Sequence, residues 1–450
     1  MERILLRNYL NPHLIWQLLK LGLPVVLIQG GMMAMVLVDT LFVGQLGPLA
    51  TAAVGLGSTL ATSIHLFCTG TLTAIEYFSS RAIGEGDEKK SWFWFTQSLY
   101  LAMALGIFAF GLILIIIKLL PLFGISRPLV EETQDFLIPI GMSCLPMFLF
   151  YATRQYLASR NQVHFSTLLI LIANVANFLF NDLFVAGKLG GNSYGVYGSG
   201  LATLLTRVLM CITLFGYTLY RIKIAEIVSP SLHALKQLAR LGIPTGSQML
   251  ARSLAFSVAG LFVAKLGPVA MAAHTITLNL GGFFFMIPIG MATASCILVA
   301  QALGRNERLS AYRIGNLGVA VTSLMMMAIA TILYFHRTEL LKYFSADPGV
   351  VTTGASLLVL VAALQIFDGY QTTVIGAFRG FGNSKIAFAS MFWGLWIVGL
   401  PLGLLLDFSM ELGVFGLWSG LVVGLFTSSV ILLWKWRKLI KLELMELSAL

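Results

Sequence analysis

The sequence has 450 residues, a formal net charge of +10, 58% hydrophobic residues and only 11% charged ones, with a mean hydropathy of +0.88. So apolar a composition excludes an ordinary water-soluble domain and places the chain in a lipid bilayer. The positive balance would suggest nucleic acid in a soluble protein. Here the basic residues flank apolar runs, where they anchor and orient helices, so no nucleic-acid partner is expected.

A hydrocarbon layer of ~30 Å takes about 20 apolar residues per helix. The N-terminal residues 1–20 are amphipathic and basic, and no small-residue cleavage site follows the first apolar run, so a retained first helix is expected rather than a removed signal peptide. In chain order the apolar runs predict about twelve spans. In the first half they fall at 14–44, 49–83, 92–120, 132–158, 164–187 and 194–221, and in the second at 237–265, 268–303, 311–335, 350–378, 385–406 and 412–435. Lys and Arg gather at the N-terminus (Arg3, Arg7, Lys20) and after even-numbered spans, as in Lys89-Lys90, Arg154 with Arg160, Arg221 with Lys223, and Arg305 with Arg308. Lys435, Arg437, Lys438 and Lys441 close the chain. The positive-inside rule then expects a multi-pass protein of the inner membrane with both termini in the cytoplasm. Cys68, Cys144, Cys211 and Cys296 all fall inside spans with no Cys-x-x-Cys spacing, which reads as small apolar packing and not as a disulfide framework or a zinc site.

The chain repeats itself. Leu21-Gly22-Leu23-Pro24 returns as Leu241-Gly242-Ile243-Pro244, and Leu41-Phe42-Val43-Gly44-Gln45-Leu46-Gly47-Pro48 as Leu261-Phe262-Val263-Ala264-Lys265-Leu266-Gly267-Pro268, both 220 residues on. Gly195-Val196-Tyr197-Gly198 answers Gly413-Val414-Phe415-Gly416 at 218. The offset spans an even number of helices, so the copies enter the membrane in the same direction, a parallel pseudo-twofold repeat. The expected fold is all-α and integral to the membrane, with two six-helix lobes at 1–221 and 237–450 joined by a basic cytoplasmic linker at 222–236. That is the architecture of a secondary transporter.

An ionisable residue in mid-span costs at least ~2.5–3.5 kcal/mol and calls for a reason. Asp39 in span 1, Glu76 in span 2, Asp182 in span 5 and Asp368 in span 10 qualify. Asn174, Asn177 and Asn181 follow one another at spacings of three and four, so they share one face of span 5. With Asp39 opposite, that face would form an oxygen-rich pocket able to take a proton or a desolvated Na⁺, the bland alternative being hydrogen-bonded glue between helices. Neither Asp39 nor Asp368 has an acidic counterpart in the other half, where Ala259 and Phe148 stand. Asp182 is a candidate partner for Arg207. Arg252 in span 7 could neutralise Asp368 or meet an anionic substrate group; with Glu76, Asp368 and Tyr370 it makes up the expected substrate contacts, and Phe283 to Phe285, Trp393 and Trp396 supply aromatic surface. No His-Glu-x-x-His, Gly-x-Ser-x-Gly or Walker A motif is present, so neither catalysis nor direct ATP drive is expected, which leaves an ion gradient.

Val38-Asp39-Thr40-Leu41-Phe42-Val43-Gly44-Gln45, Ala52-Ala53, Gly84-Glu85-Gly86-Asp87, Ala272-Ala273-His274, Gln301-Ala302-Leu303-Gly304, Asp368 and Gly376-Ala377-Phe378-Arg379-Gly380 together resemble the MATE (multidrug and toxic compound extrusion) family, its NorM-like branch in particular. The resemblance covers essentially the whole chain. It implies a twelve-helix, two-lobed, V-shaped antiporter that expels amphipathic, often cationic organic compounds in exchange for H⁺ or Na⁺, with no other cofactor; a monomer is expected. Asp39 then looks like the family's span 1 acid, Asn177 and Asn181 like the polar pair beside it in a possible Na⁺ site, and Asp368 like the acid of the C-terminal lobe. The resemblance breaks at span 7, where Arg252 stands at or beside the position of a cation-binding Glu. This moves the expected ion site to the N-terminal half and favours, as the alternative, export or flipping of an anionic or lipid-linked metabolite.

Overall fold

A computed structural model of the protein describes residues 12–187, 193–222, 226 and 228–449, with side chains to 441. Arg3, Arg7, Lys223 and part of the 222–236 linker lie outside the described residues. Eleven helices are long and apolar enough to cross a membrane, and a bent pair, Arg127–Met142 with Cys144–Ser159, makes the twelfth. The spans are Pro12–Gly44, Pro48–Gly84, Glu88–Phe123, the bent pair, His164–Phe184 and Gly195–Ile222, then Leu232–Lys265, Pro268–Gly304, Arg308–Phe335, Pro348–Gly380, Lys385–Met410 and Gly413–Lys441. No strand occurs among the described residues.

The helix ends repeat as the sequence does. Spans 2 and 8 both start with a proline after a glycine of positive φ, Gly47 at 111° and Gly267 at 103°; glycine admits the turn, and proline at the first helical position loses no hydrogen bond it could have made. Span 2 ends in a turn with Gly86 at φ 77°, span 8 in the same turn with Asn306 at φ 61°. Asp87 N to Ala82 O (3.0 Å) and Glu307 N to Ala302 O (2.9 Å) close the two turns alike. Within span 2 the helix breaks briefly at Thr73. Span 4 breaks by 40° around Ser143, three residues before Pro146, which offers no N–H to the Met142 carbonyl one turn back. Span 11 carries eight residues of π-helix, Phe392–Gly399, beside glycines of the last span: a Cβ on Gly394 would sit 2.4 Å from the Gly424 carbonyl oxygen.

The protein divides into two compact units, but not at the linker. One is Leu27–Gly246; the other joins the chain up to Val26 to Ser247–Leu450. The division between 1–221 and 237–450 therefore gives way to one that cuts through the first and seventh helices. Close helix contacts give the reason. A Cβ on Gly290 would lie 2.8 Å from the Gly22 carbonyl oxygen and 2.5 Å from Val26 Cγ2, so the start of span 1 is packed backbone to backbone on span 8. At the repeated position, a Cβ on Gly242 would lie 2.0 Å from the Thr71 carbonyl oxygen and one on Gly246 2.3 Å from that of Phe67, so the start of span 7 is packed on span 2. Each half lends its first turns to the core of the other. The main core of the Leu27–Gly246 unit includes Ile28, Cys68, Phe148, Phe150 and Ile170, and that of the second unit Ala259, Leu357, Leu395, Trp418 and Leu421.

Candidate functional site

In the Leu27–Gly246 unit, spans 1, 5 and 6 converge on Asp39. Asn181 Nδ2 donates to its Oδ1 at 2.7 Å and Asn177 Nδ2 to the same atom at 3.1 Å, while Thr203 Oγ1 donates to Oδ2 at 2.8 Å. All four side chains are buried, Asp39 at 8% exposure and Asn181 at none. Asn177 and Asn181 are one helical turn apart, and Asn181 Nδ2 also donates to the Asn177 carbonyl (2.9 Å), which locks the amide in place. The Oδ1 atoms of Asn174, Asn177 and Asn181 are buried without a hydrogen-bond partner. Arg207, one turn beyond Thr203 in span 6, lies within electrostatic reach of Asp39 and donates from Nη1 to Ser143 Oγ (2.6 Å), at the break in span 4. His65 Nε2 sits 3.3 Å from Cys144 Sγ next to that break.

Two residues expected at this acid are not among its partners. Asn174 is on the right face of span 5 but seven residues before Asn181, about 10 Å along the axis; its amide donates to the Ile170 carbonyl (2.8 Å) and lies against Gly31. Asp182 follows Asn181 and so points about 100° around the helix, where it is half-buried. Thr203, conversely, escaped the sequence reading. The available signal was its place four residues before Arg207, a polar pair on one face of an apolar span.

In the second unit, Arg252 and Asp368 form a two-pronged ion pair. Arg252 Nη1 donates to Asp368 Oδ1 at 2.6 Å and Nη2 to Oδ2 at 2.7 Å. The guanidinium carbon lies over the Phe285 ring, 3.9 Å from its centroid, with Phe256 at 5.6 Å. Trp396, in the π-helical stretch of span 11, donates from Nε1 to the Ala251 carbonyl (3.0 Å) and so holds the backbone next to Arg252. Neither of the other expected substrate contacts joins this pair. Tyr370 stands two residues from Asp368, about 200° around the helix, and packs against the cluster of Tyr312, Val374, Phe378 and Trp436. Glu76 belongs to the other unit, fully buried, where it accepts from Gln155 Nε2.

The repeat shows how far the two units have diverged. Asp39 corresponds to Ala259, Thr203 to Leu421 and Arg207 to Leu425, which are all core residues of the second unit. Arg252 corresponds to Met32 and Asp368 to Phe148, apolar residues of the first unit. Each polar constellation stands where the other unit has plain packing, so neither is required by the shared scaffold. Among the described residues no group of three His, Cys, Asp or Glu side chains could hold a metal ion.

A family model described as MatE matches residues 24–183 and 244–405. The probable multidrug resistance protein NorM of Pseudomonas putida is 30% identical over 434 residues, which cover 93% of this chain and 94% of that protein. Among solved structures, a MOP superfamily transporter from Pyrococcus furiosus superposes with a TM-score of 0.85 at 19% identity over 94% of this chain and 95% of its own. A mutant of the Vibrio cholerae MATE transporter VcmN gives 0.85 at 19% identity over 96% and 98%. These two likenesses speak for the fold. The family model spanning both halves, together with a relative 30% identical along nearly its whole length, establishes that the chain belongs to the MATE family of multi-pass membrane transporters.

Proposed function

We propose that this protein, acting as a monomer with both termini in the cytoplasm, exports amphipathic organic compounds across the inner membrane in exchange for H⁺ or Na⁺. Asp39 carries the coupling ion. The relatives named as multidrug resistance proteins support the efflux half of this reading. What carries the coupling half is one observation: a carboxylate buried in a span and held by three donors from two other spans. A proton on Asp39 removes the charge that all three donors point at and makes one carboxylate oxygen a donor, which weakens those bonds and ties protonation to the spacing of spans 1, 5 and 6. A Na⁺ ion fits the same place by its chemistry. It needs oxygen ligands, and the Asp39 carboxylate, the Thr203 hydroxyl and the unpartnered Oδ1 atoms of Asn177 and Asn181 supply them once the amides turn.

The experiment is efflux of two fluorescent amphipathic dyes, one cationic and one bearing a carboxylate, from proteoliposomes with a pH or a Na⁺ gradient imposed separately, for the wild type and Asp39→Asn. Transport driven by one gradient and abolished by the substitution, in a folded protein, supports the reading and names the ion. Dye movement that ignores both gradients sinks it. A second reading, recognition of an anionic group on the substrate, is favoured by Arg252 in span 7; for the Pyrococcus furiosus relative too, a reversed polarity of the binding pocket is said to suggest a different function.

A further inference from the structure

The accessible charge of the second unit is the cation and not the acid. Asp368 is 1% exposed and gives both oxygens to Arg252, whereas Arg252 keeps 14% of its side chain open. A guanidinium carries five N–H donors. Two are taken by Asp368, and no acceptor among the described residues takes the other three. Phe285 covers the face of the guanidinium at 3.9 Å, so the planar fork is held still with donors left along its edge. An incoming ligand thus meets fixed, unused donors backed by aromatic rings, with the carboxylate behind them and already spent. A planar oxyanion on an aromatic body complements such a surface: it takes two parallel N–H bonds while its ring extends the stack on Phe285 and Phe256. An organic cation meets a like charge at close range.

We propose that the Arg252–Asp368 pair is a recognition site for aromatic carboxylates, with Arg252 as the binding residue and Asp368 as its positioning residue and internal competitor. The site deepens the export reading above by assigning a substrate class, and its substrates are amphipaths that bear a carboxylate. Met32 and Phe148 at the corresponding positions of the other unit confine this selectivity to one half of the protein.

The test is equilibrium binding of radiolabelled 2-naphthoate to the purified full-length protein in detergent, competed by unlabelled 2-naphthoate, its methyl ester and 2-naphthylmethylammonium. Saturable binding is expected, with the acid competing about tenfold or more better than the ester or the ammonium compound. Arg252→Gln should weaken binding by a similar factor. Asp368→Asn, which removes the competing charge but keeps the side-chain shape, should tighten it several-fold, and this variant decides the matter if Arg252→Gln does not fold. Equal competition by the ester, no saturable binding, or Asp368→Asn binding no tighter than wild type would each overturn the proposal. No gradient enters the assay, so failure of antiport at Asp39 and failure of carboxylate recognition at Arg252 are read separately.

Discussion

Replacing Arg252 with Met strands the Asp368 carboxylate, and the structure sets the size of the effect. Two charge-assisted hydrogen bonds of 2.6 and 2.7 Å are lost, each contributing about 1.5–3 kcal/mol. Asp368 is 1% exposed, so water does not replace them. That gives about 3–6 kcal/mol, in line with the ~3–5 kcal/mol typical of a buried pair broken from one side. Removing both charges is a different perturbation. The repeat packs Met32 and Phe148 at the corresponding positions, so Arg252→Met with Asp368→Leu fills the same kind of site with apolar atoms, and the double variant should return to within ~1 kcal/mol of the wild type or exceed it. The assay is a double-mutant cycle on unfolding in mixed micelles followed by tryptophan fluorescence. If Arg252→Met is as stable as the wild type, or the double variant is no better than the worse single one, Asp368 does not depend on Arg252 for its burial. The double variant also separates packing from recognition, since it should fold yet bind no carboxylate.

Asp39→Asn should abolish gradient-driven efflux while leaving a monodisperse, folded protein, because the amide keeps the shape of the carboxylate; near-normal efflux would remove Asp39 from the coupling step. Thr203→Val deletes one donor to Asp39 Oδ2 without changing side-chain shape, so efflux should fall about tenfold, between wild type and Asp39→Asn, as expected for one lost bond to a charged group. Wild-type rates in Thr203→Val would show that bond to be idle. Gly242→Ala should sharply reduce the yield of folded protein, since its Cβ would lie 2.0 Å from the Thr71 carbonyl oxygen and overpacking costs about 1–3 kcal/mol or more. Gly30→Ala, with nothing within 4 Å, should be neutral or stabilise by up to about 1 kcal/mol. Comparable size-exclusion profiles for these two glycine variants would contradict the close approach of spans 2 and 7.

Much of the fold was legible because hydropathy and the bilayer constrain the same quantity: a stretch of about 20 apolar residues has few alternatives to a helix in lipid. The twelve runs read from the sequence all return as helical spans. The Arg252–Asp368 pair was legible for the same reason, since two opposite charges in an apolar setting have strong cause to meet. What failed was direction and depth. Asn174 and Asp182 belong to the right helix, but the seven residues from Asn174 to Asn181 are a distance along the axis as well as an angle around it, and the 100° from Asn181 to Asp182 turns a neighbour in sequence to another face. Thr203 was hidden because a lone threonine in a span ordinarily bonds its own helix, as Thr206 does with the Ala202 carbonyl. The exchange of helix starts between units left only Gly22 and Gly242 as a trace, and a glycine does not say which helix it is small for.

That exchange has a consequence for how the protein is made. By the time Gly246 has left the ribosome, every residue of the Leu27–Gly246 unit exists, and this unit can complete its packing while the rest is still being synthesised. The segment ahead of it cannot. Residues 12–26 are made before that unit, yet their packing surface on span 8 is made after it. Through most of translation the front of span 1 must wait in lipid with Gly22 and Val26 uncovered. A nascent chain stalled before Pro268 should therefore show the buried Cys68 and Cys144 protected from thiol labelling, with cysteines introduced at Leu21 and Val25, buried in the finished protein, still open to it.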